Sequence, residues 1–482
     1  MRDSIETVHK HTHAQNRFAV IPTAEKLRVD ARHSGRGVRI AFLDSGFYPH
    51  PDFARRVVVF HDISGEDRSV DHVIEPASHH WHGTQTVTSC AGDGSLSDGV
   101  YCGLAHNAEL VLVKVSRAGR IGDSEIEDGL RWVIENRERF GIRVLNMSLG
   151  GDCDLATADS KINTLVEELV ASGVVVIVAA GNSAETRSAP PASAPSAITV
   201  GGYSDENQFS SDEFDLYHSS HGVTADGLVK PELIAPAMFV AAPILPGTTD
   251  YEAGQLLSML SAAPDYAFGP MLQESWQGAG LDADVLTLHR DAARKLVELE
   301  LNRRKVIATH YQHVDGTSFA APITASVVAL MLEANPRLTP AAVKNILIAS
   351  ASRLGGHPAI RQGFGVVNAA MALQLTRAET HHLEDDRYHP PRIVGSEIIF
   401  RYHDDAALTV KLVGDFNDWS VDASPLLRCG DGLWKMSIPC HPAGKYRYKF
   451  LVDDTRWTED PSHALKEEDG YGGFNSVLLI GR

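Results

Sequence analysis

Short apolar runs alternate with amphipathic stretches along most of the chain. Four runs rich in β-branched residues predict buried strands, at residues 38–43, 110–115, 144–147 and 174–179. Between them, apolar residues recur at helical spacing over 124–139 and 158–172, which predicts two amphipathic helices. Strands that alternate with helices predict an α/β, three-layer fold with a mostly parallel sheet, whose ligands lie beyond the carboxyl ends of the strands.

The pattern changes beyond residue 376. Residues 377–392 are polar and contain Pro390 and Pro391, which cannot continue a helix, so they predict a linker. After it, short runs of alternating apolar and polar residues, separated by Gly, Asp and Asn, predict a small all-β, immunoglobulin-like sandwich over 393–482. The large domain is thus expected at 36–376, after an N-terminal extension at 1–35.

Composition and charge narrow the class of protein. With 43% hydrophobic and 22% charged residues, the 482-residue chain has the composition of a soluble globular protein. Its formal net charge of −18 repels phosphate backbones and anionic lipid, so we expect neither nucleic acid nor membrane as a partner. No apolar run approaches the ~18 residues that would span a bilayer.

The cysteines and the N-terminus bear on the compartment. Five cysteines are an odd number and lack paired spacing, which argues against a disulfide framework or a thiolate zinc site. The first residues carry no apolar stretch with a small-residue cleavage site, as a secretory signal would. Both observations fit a reducing compartment, and we expect a cytoplasmic protein.

Three short motifs each supply one group that acyl transfer needs. Ser318 follows a Gly-Thr pair at the predicted start of an apolar helix, and a serine hydroxyl becomes nucleophilic when an imidazole takes its proton. His82 can supply that imidazole, and Asp44, at the end of the first predicted strand, can hold its tautomer. Taken singly, each has an ordinary interpretation: a turn-forming aspartate, a surface or core histidine and a helix-capping serine.

Together with four further motifs, these residues resemble the subtilisin-like serine peptidases. The matching segments occur in family order over roughly residues 36 to 372: VRIAFLDSG (38–46), HPDF (50–53), HGT (82–84), NMSLG (146–150), AAGN (179–182), KPELIAP (230–236) and GTSFAAP (316–322). The resemblance implies that Ser318 attacks the substrate, His82 acts as general base and then acid, and Asp44 orients His82. It also implies that the side-chain amide of Asn182 donates to the oxyanion.

The resemblance further implies how a peptide or protein substrate is held. Ser148, Leu149 and Gly150 would line the primary pocket together with Ala180 and Gly181, and would pair with the substrate backbone as an added strand. The chemistry requires no cofactor. Family members often bind structural calcium, but no loop in this sequence identifies such a site. His79, His80 and His82, like the alternating His9, His11 and His13, lack the carboxylates or spacing of a metal site, so we expect none there.

The sequence departs from this family in two regions. About 35 residues precede the first strand, too few for a folded pro-domain, and residues 17–22 either block the cleft or form a loosely packed arm. The segment 237–313 is a long insertion before Ser318. Within it, residues 284–304 predict a helix with one apolar face, formed by Val285, Leu288, Ala292, Leu296 and Leu299. The insertion either borders the cleft, forms a dimer contact or packs on the domain.

The C-terminal region resembles a second family, the α-glucan-binding module of AMP-activated kinase β subunits and isoamylase N-terminal domains. The match covers about residues 396 to 480. It implies that Trp419 and Trp457 stack on sugar rings while Lys449 and Asn475 bond to hydroxyls. Many such domains only brace a catalytic domain. We therefore expect a serine endopeptidase that its C-terminal domain localises to α-glucan, the alternative being a latent or non-catalytic binding protein that retains the protease fold.

Overall fold

The computed structural model describes residues 19–29, 32–66, 79–150, 155–378, 389–422, 424–430 and 432–480. The predictions for His9, His11 and His13, for most of the N-terminal extension and for the greater part of the linker lie outside these residues.

A seven-stranded parallel sheet forms the centre of the large domain. Its strand order is β10-β6-β5-β4-β1-β3-β2. The strands are β1 (Arg39–Asp44), β2 (Val57–Asp62), β3 (Glu109–Lys114), β4 (Ile142–Met147), β5 (Val175–Ala179), β6 (Ile198–Ser204) and β10 (Leu233–Pro236). Short β7 (Asp215–Leu216) pairs with β6 in antiparallel fashion, and β8 (Gly222–Val223) pairs with β9 (Val229–Lys230) apart from the sheet. The predicted mostly parallel sheet is confirmed.

Helices cover both faces of this sheet. The helices of the large domain are α1 (Thr23–Lys26), α2 (His80–Ala91), α3 (Asp123–Phe140), α4 (Lys161–Ala171), α5 (Thr249–Ala262), α6 (Asp265–Ser275), α7 (Arg290–Arg303), α8 (Thr317–Ala334), α9 (Pro340–Ser350), α10 (Ala359–Gln362) and α11 (Ala369–Ala378). Because side chains alternate along a strand, Ile40 and Phe42 of β1 pack in the same core as α2 and α8, whereas Ala41 and Leu43 pack with α3 and α4. Strands buried on both faces explain the continuous apolar runs in the sequence.

Helix α8 runs through the middle of the larger core. Within the described part of the chain it is the single helix long and apolar enough to cross a membrane, and 83% of that apolar window is buried inside the protein. Its apolar composition is therefore accounted for by packing between the sheet and its neighbouring helices. The helix fixes Ser318, in its first turn, at the carboxyl end of the sheet.

The insertion folds as a small unit with its own core. Strands β11 (Val240–Pro243), β12 (Val306–Ala308) and β13 (Tyr311–Val314) form an antiparallel sheet, and α5, α6 and α7 pack beside it. The base of this unit contacts the large domain: Tyr311 donates its hydroxyl to both oxygens of the buried Asp52, and Gln85 of α2 donates to the carbonyl of Pro243. The three roles considered for the insertion remain predictions.

The apolar face predicted for residues 284–304 is wrong. Helix α7 begins at Arg290 and buries Ala293 and Val297, while four of the five predicted residues are exposed: Leu288, Ala292, Leu296 and Leu299. Only Val285, in a preceding 3₁₀ turn, is buried as expected. The reason is that Arg294 lies on the packed side of the helix, where its guanidinium is 4.3 Å from the ring of Phe268.

The C-terminal domain is all β, as predicted. One sheet has the order β14-β15-β18-β17 and the other β16-β19-β22-β21, with β20 added to β19. The strands are β14 (Arg392–Val394), β15 (Glu397–His403), β16 (Val410–Gly414), β17 (Leu427–Gly430), β18 (Leu433–Pro439), β19 (Gly444–Val452), β20 (Arg456–Thr458), β21 (Lys466–Glu468) and β22 (Phe474–Ile480). The two sheets enclose a core that includes Phe400, Leu412, Trp434 and Phe450.

An apolar cluster joins the two domains. Leu465 and Val477 of the C-terminal domain pack with Val229 and Phe364 of the large domain. Polar bonds accompany this contact, because Arg353 donates to the carbonyl of Ala464 and the backbone of Ile393 donates to the carbonyl of Asp226. The small domain is therefore packed against the large one.

The described part of the N-terminal extension, from Ala19, packs on the loop after β6. Lys26 forms a buried ion pair with Asp205 at 2.6 Å, and the backbone N–H of Ile21 donates to Asn207. Val20 and Ile21 are buried. Residues 19–22 are thus packed more closely than the loosely packed arm that was one of the two alternatives, and whether the segment blocks the cleft stays a prediction, since residues 1–18 lie outside the described chain.

Candidate active site

The four catalytic candidates lie at the carboxyl end of the parallel sheet. Asp44 is the last residue of β1, and Asn182 follows β5 by three residues. His82 lies in the first turn of α2 and Ser318 in the first turn of α8. Because parallel strands all end at one edge, residues far apart in sequence meet there.

Asp44 and His82 are joined by a short hydrogen bond. His82 Nδ1 lies 2.7 Å from Asp44 Oδ1, and Asp44 is 1% exposed. The carboxylate also accepts from the backbone N–H of Ser45 at 2.7 Å and from the hydroxyl of Thr86 at 3.1 Å. A carboxylate with several donors is fixed in one orientation, and it places the proton of a neutral His82 on Nδ1, leaving Nε2 free to accept.

Gly83 permits this approach of helix and strand. A Cβ atom at position 83 would lie 2.3 Å from the carbonyl oxygen of Gly46 and 3.0 Å from Cβ of Asp44. Any side chain there would push α2 away from the end of β1. The glycine after His82 is thus a packing requirement of the Asp44–His82 contact.

Two opposing effects act on the acidity of His82. Burial favours the neutral imidazole, but the charge of Asp44 and the hydrogen bond to it favour the imidazolium, and together they raise the pKa of His82 above its usual value. An imidazole whose positive form is stabilised accepts a proton readily, which suits a general base.

Ser318 lies beside the other three residues without bonding to His82. Its hydroxyl is 3.5 Å from the carbonyl oxygen of Ser148, and it makes no hydrogen bond to His82 among the described residues. In return, the Ser148 hydroxyl donates to the carbonyl of Ser318 at 2.8 Å. The Ser318–His82 hydrogen bond is therefore not formed in this structure.

Asn182 has its amide orientation set by Thr317. Asn182 Oδ1 accepts from both the backbone N–H and the hydroxyl of Thr317, each at 2.9 Å. Its Nδ2 group therefore points away from Thr317, and it donates to no described residue. Thr317 also accepts from the backbone N–H of Gly181 at 3.2 Å. Sequence reasoning missed this role of Thr317, although the residue sits within the GTS motif.

The five predicted substrate-binding residues lie on the two chain segments that follow β4 and β5. Ser148 is buried, Leu149 half-buried and Gly150 exposed, whereas Ala180 is buried and Gly181 half-buried. The backbone N–H of Ala180 already donates to Val200. Gly181 has φ +102°, and a Cβ there would lie 2.7 Å from the Ser220 hydroxyl, so only glycine fits.

A second candidate site lies on the C-terminal domain. All four residues predicted to hold sugar line one cavity of about 550 Å³, together with Arg447, Asp469 and Tyr471. Trp457 is 46% exposed and Tyr471 96% exposed. Lys449 forms an ion pair with Asp469, and the indole N–H of Trp419 donates to Asp415 at 2.9 Å. Tyr471 went unpredicted because it stands in a glycine-rich loop without strand periodicity.

The sequence model of the subtilase family, Peptidase_S8, matches residues 35–366. The chain belongs to the subtilase family. A second model, carbohydrate-binding module 48 (isoamylase N-terminal domain), matches residues 387–465. Both resemblances inferred from the sequence are confirmed.

Curated relatives of this subtilase are serine proteases. This chain is 31% identical to Serine protease AprX of Bacillus subtilis (strain 168) over 346 residues, which are 70% of this chain and 66% of AprX. It is 33% identical to Subtilisin BL of Lederbergia lenta over 196 residues, 40% of this chain and 65% of that protein. The chain thus spans just under two thirds of the length of each relative. Among solved structures, one of the proteases from Pseudoalteromonas arctica PAMC 21717 is 20% identical with a TM-score of 0.47, covering 78% of this chain and 97% of that chain.

Metal-binding groups do not cluster in the described part of this subtilase. Among those residues, no three His, Cys, Asp or Glu side chains gather at one point. The buried carboxylate of Asp52 accepts hydrogen bonds from the hydroxyls of Tyr311 and Ser95. The expectation about structural calcium stays a prediction.

Proposed function

We propose that this subtilase is a serine endopeptidase that hydrolyses peptide bonds of peptides or proteins through an acyl-enzyme. The observation that supports it most is the 2.7 Å bond between His82 Nδ1 and the buried Asp44, next to Ser318 at the start of α8. Ser318 turns from the carbonyl of Ser148 toward Nε2 of His82 and gives up its proton there. Its oxygen then attacks the carbonyl carbon of the substrate.

Charge develops on the carbonyl oxygen in this step. The Nδ2 group of Asn182 is oriented by the two bonds from Thr317 and donates to that oxygen. A donor that is oriented in advance requires no rearrangement at the moment of reaction, and loss of one such donor costs about 10²–10³ in turnover. His82 then delivers its proton to the leaving amine, and the acyl group passes to water.

Covalent labelling tests this proposal directly. The folded protein is treated with a fluorophosphonate, and the adduct is located by mass spectrometry. We expect modification of Ser318 that is abolished in Ser318→Ala and much slower in His82→Ala. No adduct in protein that is folded by circular dichroism would favour the alternative, a latent or non-catalytic binding protein.

For the C-terminal domain we propose binding of α-glucan. The cavity formed by Trp419, Trp457 and Tyr471 offers aromatic faces to the apolar C–H surface of glucose rings, and Lys449 and Asn475 can bond to hydroxyls. The domain would then hold the peptidase at a glycogen-like polymer.

Retention on glycogen or amylose beads tests the sugar site. Trp457→Ala removes an exposed stacking face and should abolish retention, because stacking supplies most of the apolar contact. Leu427→Ala is a matched control, since Leu427 is 74% exposed elsewhere on the same domain. Equal retention of wild type and Trp457→Ala would show that the domain only braces the catalytic one.

A further inference from the structure

Trp81 directly precedes His82 and its side chain remains in contact with solvent. It lies in the first turn of α2 and is 45% exposed, although it is a large, mostly apolar side chain. Helix α2 is buried through His80 and the residues from Gly83 to Ala91, so its packing does not depend on an indole at position 81.

The indole is in direct contact with the imidazole of His82. The two ring centroids are 5.3 Å apart with planes at 88°. On another side, the ring of Phe319 lies 6.2 Å from the same imidazole. His82 is thus flanked by aromatic groups, of which Phe319 is buried and Trp81 is open to a ligand.

A substrate bound at Ser318 must pass over His82, since the imidazole exchanges protons with both Ser318 and the leaving amine. A substrate side chain within two residues of the scissile bond therefore comes within reach of the exposed part of Trp81. Contact with an aromatic face favours apolar and above all aromatic side chains, and offers a charged side chain nothing in return for lost hydration.

We propose that Trp81 is a specificity-determining residue: it forms a wall of the substrate cleft and selects peptides that place an apolar or aromatic side chain over His82, within two residues of the scissile bond. This inference rests on the proposed peptidase function. Trp81 acts on the substrate side chain and takes no part in proton transfer. Discrimination by one apolar contact of this size amounts to roughly 10- to 200-fold in kcat/KM.

The test compares cleavage of two peptide libraries by wild type, Trp81→Phe and Trp81→Ala. One library varies the residue two positions before the cleaved bond and the other the residue directly after it, with Leu, Phe, Ala, Ser and Asp at the varied position. Active enzyme is counted by fluorophosphonate titration, so that differences in folding do not enter kcat/KM. In wild type we expect Phe and Leu to exceed Ser and Asp at one of these positions by at least about tenfold.

In Trp81→Ala this preference should fall to within about threefold, mainly through KM, and Trp81→Phe should restore part of it. Phe209→Ala is the matched control, because Phe209 is also an exposed aromatic residue (51%) of the catalytic domain but lines a cavity with Leu27 and Tyr203. The substrate preference of Phe209→Ala should equal that of wild type.

Three results would overturn the inference. If the preference is unchanged in Trp81→Ala, the indole does not contact the substrate side chain. If all peptides lose kcat by the same factor, Trp81 only supports the position or charge of His82. If wild type neither reacts with the fluorophosphonate nor cleaves any peptide, the peptidase proposal itself fails, which the titration distinguishes from the first two results.

Discussion

The single hydrogen bond between Asp44 and His82 determines both the tautomer of the imidazole and its acidity. Asp44 raises the pKa of His82 in opposition to burial, so removal of its charge should lower that pKa. The general base must be neutral to act, and the acidic limb of a pH–rate profile reports its pKa.

Asp44→Asn is therefore expected to have two effects. At neutral pH kcat/KM should fall by about four orders of magnitude, because an amide can hold the wrong tautomer of His82. The acidic limb of the residual activity should move to lower pH than in wild type. The measurement is kcat/KM against pH with one peptide; a limb that stays in place would show that Asp44 does not control the charge of His82.

A second prediction concerns a buried charge cluster in the large domain. Glu232 Oε1 accepts from Lys230 at 2.6 Å and from Lys344 at 2.7 Å, and all three side chains are buried. Burial lowers the pKa of Lys230 to about 8, although the charge of Glu232 opposes this shift. Glu232→Gln removes the charge that the buried ammonium groups of Lys230 and Lys344 share, so we expect a loss of about 3–5 kcal/mol in free energy of unfolding.

The pH dependence of this variant checks the cause. In wild type the folded pKa of Lys230 lies below its unfolded value, so the unfolded chain binds more protons between about pH 8 and 10 and stability rises with pH in that window. The charge of Glu232 raises this pKa, so Glu232→Gln should lower it further, and the rise in stability with pH should begin at lower pH and be larger than in wild type. Urea unfolding at about pH 7 and about pH 9.5 measures it, with the exposed Glu185→Gln as control. A variant as stable as wild type at neutral pH would contradict the assigned role of Glu232.

Candidate site residues that lie within sequence motifs could be predicted. Residues whose role depends only on contacts distant in sequence could not. Asp44, His82, Asn182 and Ser318 stand in short segments whose chemistry can be read locally. Thr317 orients Asn182 across 135 positions of sequence, and no local pattern reveals such a contact. Tyr471 has the same character: a glycine-rich loop predicts irregular structure but not the direction in which an aromatic ring points.

At the scale of elements, close packing of α2 on β1 is what places His82 beside Asp44. Gly83→Ala should therefore inactivate out of proportion to its effect on stability. Its methyl group would meet the carbonyl of Gly46 at 2.3 Å, so α2 must shift and the 2.7 Å bond to Asp44 must lengthen. We expect kcat/KM to fall by at least about 10²-fold, since displacements near 1 Å have this effect.

Gly269→Ala is the matched control for this variant. Gly269 lies inside α6, and no neighbouring atom lies within 4 Å of the position that an added methyl group would take. Alanine there meets no other element, although the ring of Pro270 offsets the usual gain in helix propensity, so we expect stability within about 1 kcal/mol of wild type and unchanged activity. Thermal unfolding and kcat/KM are measured for both variants. Full activity in Gly83→Ala would mean that α2 can move without disturbing His82.

Four of the seven parallel strands, β1, β3, β4 and β5, were predicted, because strands buried on both faces give continuous apolar runs. Strands β2, β6 and β10 were not predicted. The insertion was predicted poorly for a related reason. In a small unit with little core, Ala293 and Val297 pack closely while the long side chain of Arg294 covers Phe268. The helical spacing of the leucines therefore predicts a buried face that is exposed in the structure, because the shape of the neighbouring elements decides which side chains are buried.

At the scale of the whole molecule, the question is whether the two domains unfold together. Leu465 is 8% exposed and packs with Val229 and Phe364 across the domain contact. Its backbone carbonyl accepts from Val477, so the segment that carries it stays attached to the C-terminal sheet whatever its side chain. Leu465→Asp introduces a carboxylate into this apolar cluster, where an unpaired charge costs several kcal/mol.

We expect wild type to unfold in one calorimetric transition and Leu465→Asp in two, because the carboxylate reaches water only if the domains separate. None of the residues that line the proposed sugar site belongs to the apolar cluster, so the proposed retention on glycogen should match that of wild type. Leu427→Asp, at a position 74% exposed on the same domain, should keep the single transition. A single transition in Leu465→Asp at the wild-type temperature would show that this cluster does not couple the unfolding of the two domains. The coupling would then have to come from the hydrogen bonds that Arg353 and Ile393 make across the domain contact.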